Sequence, residues 1–238
     1  MSDGGRDSGD RGPARVAVLA SGSGTNFQAL LDRFGDAGDD AARVVLLVAS
    51  REGTGAIDRA ERADVEWRVL GAPGRPEDEE ARELLRLLEG SGADLVVLAG
   101  YLRRVPVSVV RAYRGRMINI HPALLPAFGG KGMYGRRVHE AVLASGARVT
   151  GPTVHFVDEE YDRGRIIAQW PVPVLERDDA DGLAERVLEV EHRILPAVVS
   201  ALARGRVRLS RDGTCLWREP FFPSDRFLAE GRGPEGPA

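Results

Sequence analysis

Cysteine and lysine are almost absent from this sequence. Among its 238 residues, Cys215 is the single cysteine and Lys131 is the single lysine. One cysteine excludes an internal disulfide framework and a zinc site built from several thiolates. We interpret Cys215 as a partly buried structural thiol. Most of the positive charge comes from arginine. Because the arginines are interspersed with Asp and Glu, their pattern predicts no basic face.

Long hydrophobic runs, an excess of positive charge and clustered metal ligands are also missing. No run of about 18 apolar residues is available to span a membrane, and the polar N-terminus lacks the apolar core of a secretory signal. The formal net charge of −3 disfavours nucleic acid as a partner. No His, Asp and Glu spacing is typical of a metal site. We therefore predict a cytoplasmic protein that binds no membrane, nucleic acid or metal.

Apolar runs alternate with segments of helical period through the first half of the chain. Five such runs predict strands, at 15–20, 43–49, 66–70, 94–99 and 117–121. The alternation predicts an α/β fold with a doubly wound, mostly parallel, Rossmann-like sheet. Two later runs, 148–157 and 165–174, predict an antiparallel strand pair, and the apolar period over 180–202 predicts a long helix.

Length and composition indicate one large folded unit. A chain of 238 residues with 43% hydrophobic content can bury the core of a single α/β domain. We predict that this domain covers residues 15–210. A disordered polar tail is expected over residues 1–14, and a C-terminal tail over residues 211–238. One short strand-like piece is expected in the stretch that begins at Ala203.

A Gly-Ser loop, SGSGTN at 21–26, joins the first predicted strand to the first helix. Glycines let backbone N–H groups approach an anion, and the helix N-terminus adds a favourable dipole. The loop therefore indicates a phosphate site, although a tight turn capped by Ser or Thr fits the same residues. Phe27 replaces the third glycine of a dinucleotide fingerprint, and Ser50-Arg51 stands where an acid would end the second strand. A nicotinamide cofactor is therefore disfavoured.

Asn119 and His121 end the fifth predicted strand, immediately before Pro122. Ligands bind at the carboxyl ends of strands in an open α/β sheet, and side chains two residues apart point to the same side. An Asn amide can donate to a carbonyl oxygen, and an imidazolium can stabilise an oxyanion. A turn cap at Asn119 with a satisfied histidine at His121 is an equal alternative. The glycine-rich 129–132 that follows is a candidate lid.

An acidic loop, HFVDEEYDRG at 155–164, lies between the two later strands. A carboxylate from it could orient His121, favour the charged imidazole and accept a proton from an attacking amine. A solvated turn is the alternative, and it is the expected role of Asp158, Glu159 and Glu160. Spacing alone does not single out Asp162 among these acids.

Five motifs in one order resemble the phosphoribosylglycinamide formyltransferase family of folate-dependent enzymes. They are SGSGTN at 21–26, GYLR at 100–103, NIHPALLP at 119–126, HFVDEEYDRG at 155–164 and EHRILP at 191–196. The resemblance implies transfer of a formyl group from the co-substrate 10-formyltetrahydrofolate to the amino group of glycinamide ribonucleotide. This reaction belongs to purine biosynthesis and needs no metal.

The resemblance also assigns roles by position. It implies a catalytic set of Asn119, His121 and Asp162, with His155 as a second-tier candidate because a buried strand histidine fits that position equally well. For glycinamide ribonucleotide it implies a binding set of Ser23, Gly24, Thr25, Asn26 and Glu191. For the folate it implies Leu102, Arg103, Arg104, Val105, Asn119, Val157, Asp158, Glu159 and Glu160. Arg104 departs from an apolar residue common in the family at that position.

Three other functions compete with this interpretation. A methionyl-tRNA formyltransferase would need an additional C-terminal β-barrel and a basic surface, and a formyltetrahydrofolate deformylase would carry a regulatory domain before the core. An NADP- or nucleotide-binding module could use the first loop with Arg51 facing a 2′-phosphate. That module would leave Asn119, His121 and Asp162 without a role. We expect a monomer or a homodimer that acts on small molecules.

Overall fold

The structure is a computed structural model that describes residues 12–35, 38–71 and 74–218. Most of the predicted N-terminal tail and positions 219–238 of the predicted C-terminal tail therefore lie outside the described residues. Ala14, at the end of the predicted N-terminal tail, already belongs to the first strand. Within the described residues, no helix is long and apolar enough to cross a membrane.

A mostly parallel sheet forms the centre of the molecule. The strands are β1 (Ala14–Ala20), β2 (Ala42–Ala49), β3 (Trp67–Val69), β4 (Leu95–Leu98), β5 (Met117–His121), β6 (Val149–Thr150), β7 (Thr153–Phe156), β8 (Ile166–Gln169), β9 (Val172–Pro173), β10 (Val207–Leu209) and β11 (Cys215–Trp217). Seven of them form one sheet in the order β3-β2-β1-β4-β5-β7-β8. The first five of these pair in parallel, whereas β7 and β8 each pair antiparallel. The predicted fold class is confirmed.

Helices cover both faces of this sheet. They are α1 (Thr25–Phe34), α2 (Gly55–Arg62), α3 (Glu77–Gly90), α4 (Val107–Ala112), α5 (Arg136–Ala144) and α6 (Ala180–Ala203). In β1, Val16, Val18 and Ala20 face the core shared with α1, α2 and α6. Ala17 and Leu19 face the opposite core, shared with α3 and α4. Burial on both faces explains why this strand is apolar at every central position.

The C-terminal half differs from the prediction in three places. The two long strands expected at 148–157 and 165–174 are each interrupted, so that β6 pairs with β9 apart from the β7–β8 pair. Pro152 and Pro171 lie at the interruptions and have no N–H to continue a ladder. Helix α5 was not predicted, and the single strand-like piece of the tail is a hairpin, β10–β11.

Two features of the sheet bring the predicted polar residues together. The strand order reverses between β1 and β4, and such a switch point opens a crevice at the carboxyl ends of the strands. The antiparallel register of β5 and β7 places Asn119 opposite His155 and His121 opposite Thr153. Directly opposed residues project to the same face of a sheet, so their side chains lie in contact.

Gly164 is a position where the fold tolerates no side chain. A Cβ at Gly164 would overlap the carbonyl oxygen of Phe156, at the turn that starts β8. We expect Gly164→Ala to lower the free energy of unfolding by roughly 1–3 kcal/mol because the backbone must move. Gly90→Ala is the control, since a Cβ there meets nothing within 4 Å. Urea unfolding of both variants measures the difference, and equal stability would contradict the expectation.

Candidate active site

A cleft of about 820 Å³ opens at the carboxyl ends of β1, β4 and β5. Its volume falls in the range of small-molecule sites. Every residue that the sequence predicted for a site lines this cleft except Gly24: Ser23, Thr25, Asn26, Leu102, Arg103, Arg104, Val105, Asn119, His121, His155, Val157, Asp158, Glu159, Glu160, Asp162 and Glu191. The five separate motifs therefore converge on one place.

Asn119 lies at the centre of a hydrogen-bonded cluster. Its Nδ2 is 3.1 Å from Nε2 of His155 and 3.4 Å from Oδ1 of Asp162. Nδ1 of His155 lies 2.8 Å from the carbonyl oxygen of Phe156, which can only accept, so the ring proton is at Nδ1. Nε2 of His155 is then the acceptor for the amide of Asn119. The longer contact to Asp162 is the weaker of the two and is the one that a substrate oxygen can replace.

His121 is buried beside Asp162. Its Nε2 donates to the carbonyl oxygen of Phe128 at 2.8 Å, and its Nδ1 is 3.7 Å from Oδ2 of Asp162. Burial lowers the pKa of His121 below its ordinary value, although the charge of Asp162 and the Phe128 carbonyl act in the opposite direction. Asp162 thus favours the charged imidazole as predicted, but desolvation outweighs it and the net shift is toward the neutral ring.

Asp162 is fixed by backbone geometry and by the glycine-rich segment. It has a positive φ of 54°, and its Oδ2 accepts a hydrogen bond of 2.8 Å from the N–H of Gly130. Burial raises the pKa of Asp162, but the nearby imidazoles of His155 and His121 and the hydrogen bond from the N–H of Gly130 lower it overall. The carboxylate is therefore ionised and oriented, with the predicted lid residues 129–132 held against it.

The chain after Pro122 is anchored by β7 and β8. Oγ1 of Thr153 donates to the carbonyl oxygen of Ala123 at 2.7 Å and accepts from the N–H of Leu125 at 3.0 Å. Nε2 of Gln169 donates to the Leu125 carbonyl and to Oγ1 of Thr153, both at 2.9 Å. Side chains thus satisfy the backbone where the β5 ladder stops, and they hold the NIHPALLP segment beside the cleft.

The SGSGTN segment, called the anion loop below for residues 21–26, leaves a row of amide groups unused. Within the described residues, the N–H groups of Ser23, Gly24, Thr25 and Asn26 donate to no protein acceptor. Gly24 adopts a positive φ of 73°, and a Cβ there would lie 2.7 Å from Cα of Ala56. Only glycine fits this position. Free N–H groups at the start of α1 form a ready anion site.

Glu191 is a buried acid of α6 that lines the cleft beside the anion loop. It is 7% exposed, and its Oε2 accepts a 2.6 Å hydrogen bond from Nδ2 of Asn26. Burial raises the pKa of Glu191 to about 7, with the Asn26 hydrogen bond opposing the shift. The carboxyl group is thus poised between neutral and charged near neutral pH, next to the anion loop.

Two arginines in the wall predicted for a folate, Arg103 and Arg104, have different partners. Arg103 pairs with buried Glu80 of α3, with Nη2 2.6 Å from Oε2. Arg104 is exposed, and its Nη2 lies 3.4 Å from the carbonyl oxygen of Glu159. The Glu159 carboxylate itself is held by Arg111, at 2.7 and 3.1 Å. Arg104 therefore fits on the cleft rim by packing against the acidic loop rather than by entering the apolar wall.

Sequence reasoning missed several residues of the cleft. His139 of the unpredicted α5 lines it and is 4% exposed, and its Nδ1 has no partner among the described residues. Tyr101 also lines it, with burial raising its pKa to about 12. The exposed cleft face of α6 carries Asp181 and Glu185. Tyr101 had a signal in the sequence, since it lies in the GYLR motif, and the α6 residues occupy the polar face of an apolar-periodic helix.

Fold and site together define the class of protein. A Rossmann-like sheet carries an anion loop after its first strand and an Asn-x-His…Asp cluster at the end of its fifth. The formyl transferase family model matches residues 14–199, which is most of the chain. The chain belongs to the formyl transferase family.

Individual relatives narrow this class. The chloroplastic phosphoribosylglycinamide formyltransferase of Arabidopsis thaliana is 44% identical over 215 residues, covering 90% of this chain and 73% of the relative. The crystal structure of glycinamide ribonucleotide transformylase 1 from Symbiobacterium toebii superposes with a TM-score of 0.77 at 37% identity, covering 88% of this chain and 97% of that one. Within its family, the chain groups with the phosphoribosylglycinamide formyltransferases.

A deformylase shares the fold at lower identity. The formyltetrahydrofolate deformylase of Pseudomonas syringae pv. tomato superposes with a TM-score of 0.77 at 26% identity, covering 87% of this chain and 66% of that one. The relatives with the higher identities carry the transferase name, so the comparisons favour a transferase over a deformylase.

The raised pKa of Glu191 predicts a pH-dependent stability. The folded protein binds this proton more tightly than the unfolded chain, where the ordinary value is 4.5. The stabilisation is complete below that value and is lost as pH rises through about 7. Between pH 5 and pH 8 we expect wild type to lose roughly 2–3 kcal/mol of unfolding free energy relative to Glu191→Gln.

Urea unfolding at the two pH values measures this difference. Glu189→Gln, on an exposed position of the same helix, is the matched control and should follow wild type. If the unfolding free energy of Glu191→Gln fell between pH 5 and pH 8 as much as that of wild type, the pH dependence would belong to other groups.

Proposed function

We propose that this chain transfers the formyl group of 10-formyltetrahydrofolate to the amino group of glycinamide ribonucleotide. One observation carries the proposal: the anion loop and the Asn119–His121–His155–Asp162 cluster open onto a single cleft. A substrate with a phosphate at one end and an amine at the other can engage both. Folate is the co-substrate, and the step belongs to purine biosynthesis.

Glycinamide ribonucleotide is proposed to lie along the cleft from the anion loop to Asp162. Its phosphate accepts hydrogen bonds from the free N–H groups of Ser23, Gly24, Thr25 and Asn26. Glu191 lies beside Asn26 and accepts from hydroxyl or amide groups of the substrate. The folate lies along Leu102, Arg103, Arg104, Val105, Asn119 and the 157–160 loop, which line the same cleft.

The reaction is proposed to proceed by direct attack of the amine on the formyl carbon. A carbon–nitrogen bond forms, negative charge develops on the formyl oxygen, and the bond to the folate nitrogen then breaks as that nitrogen takes up a proton. Asn119 and His121 donate to the oxygen in the tetrahedral intermediate. Asp162, ionised and close to both, accepts the proton that the amine releases, directly or through water.

Two of these donors are occupied before substrate binds. His121 donates to the carbonyl oxygen of Phe128 at 2.8 Å, so that oxygen holds the place of a substrate oxygen. We expect His121 to exchange this partner when the formyl group binds, with the chain around Phe128 shifting. Asn119 needs less change, because His155 retains one amide hydrogen while the weak contact to Asp162 is released. His155 thus positions Asn119.

Three further expectations accompany the proposed reaction. Residues 15–210 are the proposed catalytic unit. The protein is proposed to act in the cytoplasm, although the Arabidopsis relative is a chloroplastic enzyme. A monomer or a homodimer remains the expected assembly.

Asp162→Asn is the most direct mutational test of the mechanism. The amide preserves the shape of the side chain but cannot accept the proton, so kcat should fall by roughly 100-fold or more. The free energy of unfolding should change little by comparison. Asp64→Asn is the control, because Asp64 is exposed and also has a positive φ, 51°. A kcat close to wild type in Asp162→Asn would remove the acid from the mechanism.

A spectrophotometric assay of formyl transfer tests the function itself. Loss of the formyl group from the folate should depend on glycinamide ribonucleotide. Equal turnover without the amine would instead identify a deformylase. Titration with NADPH tests the alternative that the chain is a nucleotide-binding module. Tight binding of NADPH without formyl transfer would support that alternative and contradict the proposed function.

A further inference from the structure

Three successive carbonyl groups of the anion loop accept hydrogen bonds from the protein itself. The Gly22 oxygen accepts from the N–H of Ala56 at 3.2 Å, and the Gly24 oxygen accepts from the N–H of Gln28 at 2.9 Å. Between them, the Ser23 oxygen accepts from Nε of Arg59 at 2.9 Å. A carbonyl oxygen that faced a phosphate would repel it. With these three carbonyls occupied, the free N–H groups of the same stretch are the backbone groups available to an anion.

Arg59 supplies the one side-chain contact of these three. It is on α2, and its Nη1 also donates to Oε1 of Gln28 at 2.9 Å. Gln28 is held in turn, because its Nε2 donates to Oδ1 of Asp32 at 2.8 Å. The guanidinium therefore bridges the middle of the anion loop and the first turns of α1 with two donors in one plane. Lysine cannot reproduce this fork with its single ammonium group.

The charge of Arg59 is not cancelled by a paired carboxylate. Across the part of the chain that the structure describes, no Asp or Glu lies within ion-pair distance of its guanidinium. Arg103 shows the contrast, because it donates at 2.6 Å to the buried carboxylate of Glu80. The half-buried Arg59 is thus a net positive charge directly behind a row of free N–H groups, where it favours an anion on the cleft side.

We propose that Arg59 is a positioning residue for the substrate phosphate. It acts through Ser23 by holding that carbonyl outside the site, and it adds a fixed positive charge behind the loop. This role rests on the proposed function only for the identity of the phosphate, since the geometry calls for an anion whatever the rest of the substrate is. No part of the role involves the formyl group or the folate.

Kinetics with two substrates separate this role from general support of the fold. In Arg59→Gln, KM for glycinamide ribonucleotide should rise by roughly tenfold or more, the usual scale for losing a charged hydrogen bond. The kcat, KM for the folate, and kcat/KM for the dephosphorylated glycinamide riboside should stay at the wild-type level. Arg59→Lys keeps the charge without the fork and should show a smaller rise. Arg62→Gln, exposed on the same helix, is the control.

A binding measurement without turnover tests the same idea independently. Inorganic phosphate should raise the thermal unfolding midpoint of wild type and Arg62→Gln, and should raise that of Arg59→Gln much less. This comparison still decides the role of Arg59 if wild type transfers no formyl group, which would overturn only the proposed function. If Arg59→Gln does not fold, KM for glycinamide ribonucleotide and the thermal midpoint with phosphate are both measured on Arg59→Lys instead.

Two results would overturn the proposal. One is an unchanged KM for glycinamide ribonucleotide together with unchanged protection by phosphate. The other is an equal loss of kcat/KM for the ribonucleotide and the riboside, which would assign Arg59 to the fold in general.

Discussion

The antiparallel pairing of β5 with β7 is the constraint on which the site depends. It sets Asn119 opposite His155, and from that contact the orientation of the Asn119 amide follows. A shift of one residue in the register would turn His155 to the other face of the sheet. It would leave the half-buried amide of Asn119 without its acceptor, at a cost of roughly 1 kcal/mol. The chemistry of the site and the correct register are therefore favoured by the same hydrogen bond.

Burial governs the charge states of His121 and Glu191 more strongly than their neighbours do, whereas at Asp162 the neighbouring groups outweigh burial. His121 has a carboxylate beside it and still has a lowered pKa, while burial raises the pKa of Glu191 to about 7 against the opposing hydrogen bond from Asn26. A neutral imidazole and a half-neutral acid can both donate and accept hydrogen bonds. The cleft is therefore suited to neutral polar groups of a substrate in its interior, with anions held at its edges.

The sequence predicted the parallel half of the fold well because burial on both faces makes its strands continuously apolar. The bounds of β5 match the predicted 117–121. It also predicted that Asn119 and His121 share a face, which is a property of any strand. It could not single out Asp162, because its position depends on a positive φ and a contact with Gly130. Partners such as Arg59 with Ser23, 36 positions apart, leave no periodic signal, and neither does the short α5 after a glycine-rich segment.

The scarcity of lysine has a practical consequence at the cleft. Lys131, the single lysine of the chain, is exposed and lies on the cleft wall next to Gly130, which Asp162 holds. Acylating reagents that react with primary amines would therefore meet one side chain, and that side chain is on the segment expected to move. A fluorophore attached there would report the position of this segment relative to the acidic loop without an engineered attachment site.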